Sequence, residues 1–235
     1  MIEDILSQIL QKNLKISPKG FTLTKLQGDA SYRIYYRLQV EDGRSFIVMQ
    51  LPAGKSSASE EITHLKEKPQ ELPFINIAKD LKKKGLPVPE IFHDEKEAGI
   101  ILLEDFGDET LEKKLQKGSA AEQDHWYQKA IDLLILFQEK CRQKNADCVA
   151  YQRSFDTTLL QWEFDHFIEY GIEARTGLKI NEDDLKEIRR WTNFITFALA
   201  QLPQILVHRD FQSRNIMIYN DSLKLLDFQD ALLGP

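Results

Sequence analysis

Apolar residues at Ile2, Ile5, Leu6, Ile9 and Leu10 recur at helical spacing and predict a short amphipathic helix ending before Ser17-Pro18-Lys19-Gly20. The pattern then shortens to strand-length runs at 21–26, 32–40 and 45–51, with Glu41-Asp42-Gly43-Arg44 as the hairpin turn between the last two. Helical spacing resumes over 58–68 and 74–84, the second segment closed by Gly85 and the rigid Leu86-Pro87-Val88-Pro89. Runs at 90–93 and 99–104, turning at Glu95-Lys96-Glu97, complete an expected five-stranded antiparallel sheet. From Glu109 onward the pattern is helical: 111–117, then 120–144 with Trp126, Ile131, Leu134, Ile135 and Phe137 as a wide apolar face. Asp156 is expected to cap a helix over 157–175, and Asp183-Asp184 to open another through Leu202. Trp162, Phe164, Phe167, Tyr170, Trp191, Phe194 and Phe197 lie on these last two helices, and their spacing predicts core packing rather than a ligand-stacking platform.

The last segment changes character. Two apolar-rich runs, 216–219 and 223–226, flank Asn220-Asp221-Ser222, the pattern of a β-hairpin with a tight polar turn. Pairing Tyr219 with Ser222 sets Asn215 opposite Leu226, so Asn215 and Asp227 meet at the open end, with Asp210 on the loop leading in. The residues His208-Arg209-Asp210 followed by Asn215, then Asp227-Phe228, reproduce the H-R-D-x-x-x-x-N and D-F order of protein-kinase catalytic segments. In that chemistry the protein positions groups and neutralises charge. Asn215 and Asp227 offer hard oxygens to Mg²⁺, Asp210 accepts the proton of an attacking hydroxyl, and His208 braces the loop through backbone contacts. The alternative is a polar surface hairpin whose Asn and Asp only satisfy turns.

Composition adds bounds. The chain has 235 residues, 42% hydrophobic and 29% charged, which suffices for one sizeable core or two small lobes. A net charge of −6 and Lys82-Lys83-Lys84 on a solvated helical face argue against a nucleic-acid partner. No apolar run has the length to span a membrane, and the acidic start lacks the basic region of a signal peptide, so a cytoplasmic monomer is expected. Cys141 and Cys148 have no companions at zinc-ligand spacing and are expected as reduced thiols.

Three further motifs bear on nucleotide binding. The loop Gln27-Gly28-Asp29-Ala30-Ser31, one glycine among small residues between two strands, permits close backbone approach to nucleotide phosphates. Gly54-Lys55-Ser56 is no P-loop, because Met49 stands where the first glycine is required. Asp105-Phe106-Gly107 precedes the catalytic loop and is not the metal-binding triplet; it is expected as a linker whose backbone beside Glu104 and Phe106 holds adenine.

These segments resemble the aminoglycoside phosphotransferase and choline kinase-like family, and within it the bacterial kinases of N-acetylmuramate and N-acetylglucosamine. The resemblance rests on Gly28-Asp29-Ala30-Ser31-Tyr32-Arg33, Tyr36-Arg37-Leu38, Phe46-Ile47-Val48-Met49, Leu102 to Gly107, His208 to Asn215 and Asp227-Phe228-Gln229-Asp230-Ala231. It implies an α+β, two-lobed protein-kinase-like fold: a nucleotide-binding lobe over 1–104, a linker at 105–108 and a catalytic lobe over 109–235, without the family's last helices. It implies transfer of the γ-phosphate of ATP, with Mg²⁺, to a hydroxyl of an amino sugar. Asp210 is then the base, Asn215 and Asp227 the metal ligands, and Gly28, Asp29, Ala30, Ser31, Arg33, Glu104 and Phe106 the nucleotide contacts. Two departures stand out. The third-strand lysine of most kinases is replaced by Met49, with Arg33 or Lys55 as substitutes, and the chain stops at Pro235 just after the metal segment. A nucleotide-binding protein without turnover and an aminoglycoside-modifying enzyme are the rival readings.

Overall fold

The computed structural model describes residues 2–17, 20–26, 33–51 and 71–235. The helix expected at 58–68 and the loop residues Gly28, Asp29, Ala30 and Ser31 lie outside them, as does Lys55.

The five expected strands form as β1 (Thr22–Lys25), β2 (Ile34–Gln39), β3 (Ser45–Gln50), β4 (Ile91–Glu95) and β5 (Ile100–Glu104). They make one antiparallel sheet in the order β1-β2-β3-β5-β4. Helix α1 (Ile2–Lys12) lays Leu6, Ile9 and Leu10 on one face, against Leu38, Phe46, Val48, Ile100 and Leu102. The other face carries Met49, Ile101 and Leu103 and meets helix α2 (Pro73–Lys83). The two packed faces together bury the inner strand β5, whose residues from Ile100 to Leu103 are all buried.

The second face of the sheet continues without a break into the helical lobe. Phe74 of α2 stacks on Phe228 with ring centroids 5.2 Å apart, and one apolar cluster runs from Met49 through Leu81 and Phe137 to Leu225. The helical part comprises α3 (Leu111–Lys117), α4 (Ala120–Lys140), α5 (Thr157–His166) and α6 (Glu182–Ala200). Ser119 and Glu122 form a reciprocal capping box at the start of α4, and Asp156 accepts from Leu159 N at the start of α5. The cap of α6 is Asn181, which accepts from Asp184 N over 2.9 Å; Asp183 and Asp184 sit instead in the first turn, where the helix dipole favours carboxylates.

Other expectations are corrected. Helix α4 ends at Lys140, and its buried face is Trp126, Ala130, Leu133 and Phe137; Ile131 and Ile135 are exposed because they point away from the shared core. The helix expected over 157–175 is α-helical only to His166 and continues as a wider π-type coil over Phe167–Ala174. Within that coil a Cβ on Gly171 would stand 2.9 Å from the Phe167 ring. The aromatics of this region are not core: Trp162, Phe167, Tyr170, Trp191, Phe194 and Phe197 are 46–63% exposed, and Phe164 is half-buried. Helices α5 and α6 pack on each other, and no described element covers these outer faces.

Candidate active site

Strand β6 (Ile205–Val207) leads into the loop bearing His208, Arg209 and Asp210, and a single 3-10 turn, Ser213–Asn215, delivers Asn215 to β7 (Ile216–Tyr219). Strand β8 (Ser222–Leu225) pairs with β7 in the expected register, Tyr219 opposite Ser222 and Ile216 opposite Leu225. The two residues between them, Asn220 and Asp221, take φ of 49° and 56°, as a two-residue I′ hairpin turn requires. Lys129 of α4 secures that turn, donating to the Asp221 carbonyl at 2.9 Å and its carboxylate at 3.1 Å. Strand β9 (Leu232–Gly234) then returns to pair with β6.

The open end of the hairpin gathers the expected groups. Leu226 N donates to the Asn215 carbonyl over 2.9 Å. The Asn215 side-chain amide donates to the Asp210 carbonyl and to Asp227 Oδ2, each over 3.1 Å. Asp227 sits at φ 61° and Arg209 at φ 69°, left-handed conformations that side chains other than glycine adopt at a cost and that concentrate at functional sites. Arg209 reaches Glu163 of α5 at 2.8 Å and lies over the Phe155 ring, so α5 is tied to the Asp210 loop. On the same helix the His166 ring lies between those of Trp162 and Tyr170.

His208 is 3% exposed and wedged between the Phe137 and Phe211 rings. Neither ring nitrogen makes a full hydrogen bond among the described residues, so packing, more than the expected backbone contacts, braces the loop. Burial lowers its pKa below the ordinary histidine value, against opposition from Asp227, Asp210 and the nearby Leu226 backbone.

Gln229 and Arg153, to which the sequence reading assigned no role, support Asp227. Buried Gln229 donates from Nε2 to Asp227 Oδ1 over 2.7 Å. Arg153, also buried, donates from its terminal nitrogen to the Gln229 carbonyl and from Nε to the Ala231 carbonyl at 3.1 Å. Each of Asp227's carboxylate oxygens is thus held by a side-chain amide. The donor set fits a hard cation: one amide oxygen on Asn215 and two carboxylate oxygens on Asp227, aimed by a rigid hairpin.

The linker lies against this hairpin. Phe106 is buried with its ring 5.5 Å from that of Tyr219, and Ile218 N donates to the Glu109 carbonyl over 2.8 Å. Glu104 closes β5, its carboxylate accepting from Glu90 N at 3.1 Å. Arg33 stands half-buried immediately ahead of β2. Met49, at the place of the kinase lysine, is fully buried in the shared core.

A five-stranded antiparallel sheet joined by a short linker to a helical lobe that carries the Asp210 loop and the β7–β8 hairpin is the architecture of the protein-kinase-like fold. Solved structures agree. An ADP-bound aminoglycoside phosphotransferase, APH(2'')-Ib, superposes with a TM-score of 0.60 at 17% identity, over 98% of this chain and 71% of that one. The choline kinase LicA of Streptococcus pneumoniae does so with a TM-score of 0.60 at 15% identity, over 99% and 70%.

The chain belongs to the APH phosphotransferase enzyme family, whose model it matches over residues 22–235. Its relatives include N-acetylmuramate/N-acetylglucosamine kinases. That of Pseudomonas putida is 32% identical over 100% of this chain and 62% of its own length. That of Pseudomonas aeruginosa is 31% identical over 91% and 56%. The chain thus spans about three-fifths of the length of the relatives it matches.

Proposed function

We propose that this chain carries the nucleotide- and metal-binding parts of an ATP-dependent phosphotransferase whose acceptor is the hydroxyl of an amino sugar. The observation that carries the reading is the meeting of Asn215 and Asp227 at 3.1 Å beside the Asp210 loop. The sugar class is supported by relatives named as kinases of N-acetylmuramate and N-acetylglucosamine.

In this reading Asp210 receives the proton of the attacking hydroxyl, and Asn215 and Asp227 hold the cation. Mg²⁺, when bound, neutralises phosphate charge that grows in the transition state. Glu104 and Phe106 line the adenine end, and Gly28, Asp29, Ala30, Ser31 and Arg33 face the phosphates. The division into lobes at 1–104 and 109–235, joined by 105–108, follows from the same reading. A monomer in the cytosol suits two free thiols, and among the described residues no helix is long and apolar enough to cross a membrane.

The test is Mg²⁺-dependent consumption of ATP with a panel of amino sugars, comparing wild type with Asp210→Asn. Removal of a general base lowers rates by ~10²–10⁴-fold. Retention of near wild-type kcat by Asp210→Asn would remove the base assignment. The buried Met49 favours a second reading, a protein that holds nucleotide without turnover, which tight Mg·ATP binding with no consumption would support.

A further inference from the structure

Arg37 occupies the middle of β2, opposite Thr24 on β1 and Ile47 on β3, yet its side chain leaves the sheet for the linker. Nε donates to Asp105 Oδ2 at 2.7 Å, and one terminal nitrogen donates to Asp105 Oδ1 at 3.1 Å and to the Gly107 carbonyl at 2.9 Å. The other donates to both Asp108 oxygens, at 2.8 and 2.9 Å. All three guanidinium nitrogens donate, and they do so to three residues of one four-residue segment. The Asp105 side chain is 3% exposed and that of Arg37 16%, so the pair is shielded from solvent screening.

Asp105 completes the arrangement by accepting the Gly107 N–H at 2.8 Å. Gly107, at φ 79°, therefore has both backbone groups occupied, its N–H by Asp105 and its C=O by Arg37. The Phe106 N–H and C=O, one residue earlier, meet no backbone partner among the described residues. Burial pushes the Asp105 carboxyl up, but the bonds from Arg37, Gly107 N–H and the Ser45 hydroxyl together outweigh it and hold it below the usual range.

We infer that Arg37 is a positioning residue for nucleotide: tying Asp105, Gly107 and Asp108 to β2, it holds the linker in the one conformation that turns the open backbone groups of Phe106 toward a purine base. The inference rests on the phosphotransferase reading and adds to it the element that sets the linker. Asp105 and Asp108 serve as anchors for the guanidinium rather than as ligands of metal or phosphate.

The experiment compares wild type, Arg37→Gln, Arg37→Lys and the control Arg44→Gln, whose guanidinium bonds only Asp42 in the β2–β3 turn. Four readouts are taken: metal-free ADP affinity, pyrophosphate affinity, hydrogen exchange of peptides covering 104–108, and Tm. Arg37→Gln is expected to weaken ADP binding on the order of tenfold, to speed exchange in the linker, and to leave pyrophosphate affinity unchanged. Arg37→Lys, keeping the charge without the fork, recovers part of the ADP affinity, and Arg44→Gln matches wild type. Unchanged ADP affinity in Arg37→Gln overturns the inference, and so does an equal loss for ADP and pyrophosphate alongside a lowered Tm, which marks general destabilisation. A wild type that binds no ADP overturns the phosphotransferase reading and this inference together, and that failure shows in wild type rather than in the variant.

Discussion

Asn215 and Asp227 hold each other: the side-chain amide of the first donates to Oδ2 of the second over 3.1 Å, across the open end of a hairpin whose register fixes both. In the proposed reading Asn215 Oδ1 and the Asp227 carboxylate are the oxygens that would hold a divalent cation. Asp227→Ala is expected to weaken Mg·ATP binding while metal-free ATP binding stays near wild type, because the proposed adenine site at the linker is separate from the hairpin. Asn215→Ala shows a milder version of the same selectivity. Calorimetric titrations with and without Mg²⁺ measure it, and equal affinities for wild type and Asp227→Ala in both states would leave the hairpin as a structural turn.

The support of Asp227 separates into two measurable parts. Gln229→Leu removes the 2.7 Å bond to Oδ1 and is expected to raise the Mg²⁺ concentration needed for half-maximal ATP binding several-fold, with little change in Tm. Arg153→Met strips the donors from two carbonyls of the same segment, those of Gln229 and Ala231. Leaving buried acceptors unsatisfied costs about 1–3 kcal/mol. Urea unfolding should show that loss at unchanged slope, and a variant as stable as wild type would assign the segment's conformation to its strand β9 alone.

Cys141 and Cys148 are both free and buried, and burial pushes each thiol up to about 11. Reactivity follows the thiolate, so at neutral pH both are expected to resist a thiol reagent in the native protein and to react together once it is unfolded. Rapid native labelling of either, read by mass spectrometry, would contradict the packing described for them.

The β7–β8 hairpin was legible because its information is local. Period-two alternation and a two-residue turn determine which residues face one another, so Asn215 and Asp227 follow from counting. Arg37 with Asp105 and Arg153 with Gln229 were not legible, since each pair is separated by 68 or more positions and joined only when sheet, linker and helices pack. The exposed Trp162, Phe194 and Phe197 show a different limit. Helical spacing marks a face that is apolar but says nothing of what covers it, and no described element does. Gln229 lay inside a segment already singled out, and its adjacency to the metal residue was the signal available.

Met49 tests whether phosphate neutralisation is absent from the third strand or merely hidden. It pairs with Tyr35 on β2 and Ile101 on β5, is fully buried, and packs in the core that contains Phe74, Leu81 and Phe228. A methionine-to-leucine change of similar volume should cost less than about 1.5 kcal/mol. Met49→Lys instead places an amine among hydrocarbons, and several kcal/mol are expected to be lost at neutral pH whether the charge is buried or the amine gives up its proton on folding. Such a lysine has a folded-state pKa below its unfolded value of about 10.4. Between those two values the unfolded chain binds more protons, so the stability gap to wild type narrows as pH rises toward that upper value. Urea unfolding of both proteins at neutral and alkaline pH reads this directly. A Met49→Lys protein that is as stable as wild type at neutral pH and binds Mg·ATP more tightly would mean that the side chain reaches the phosphates from this position, and the buried methionine would then be a lost contact of the site rather than part of the core joining sheet to helices.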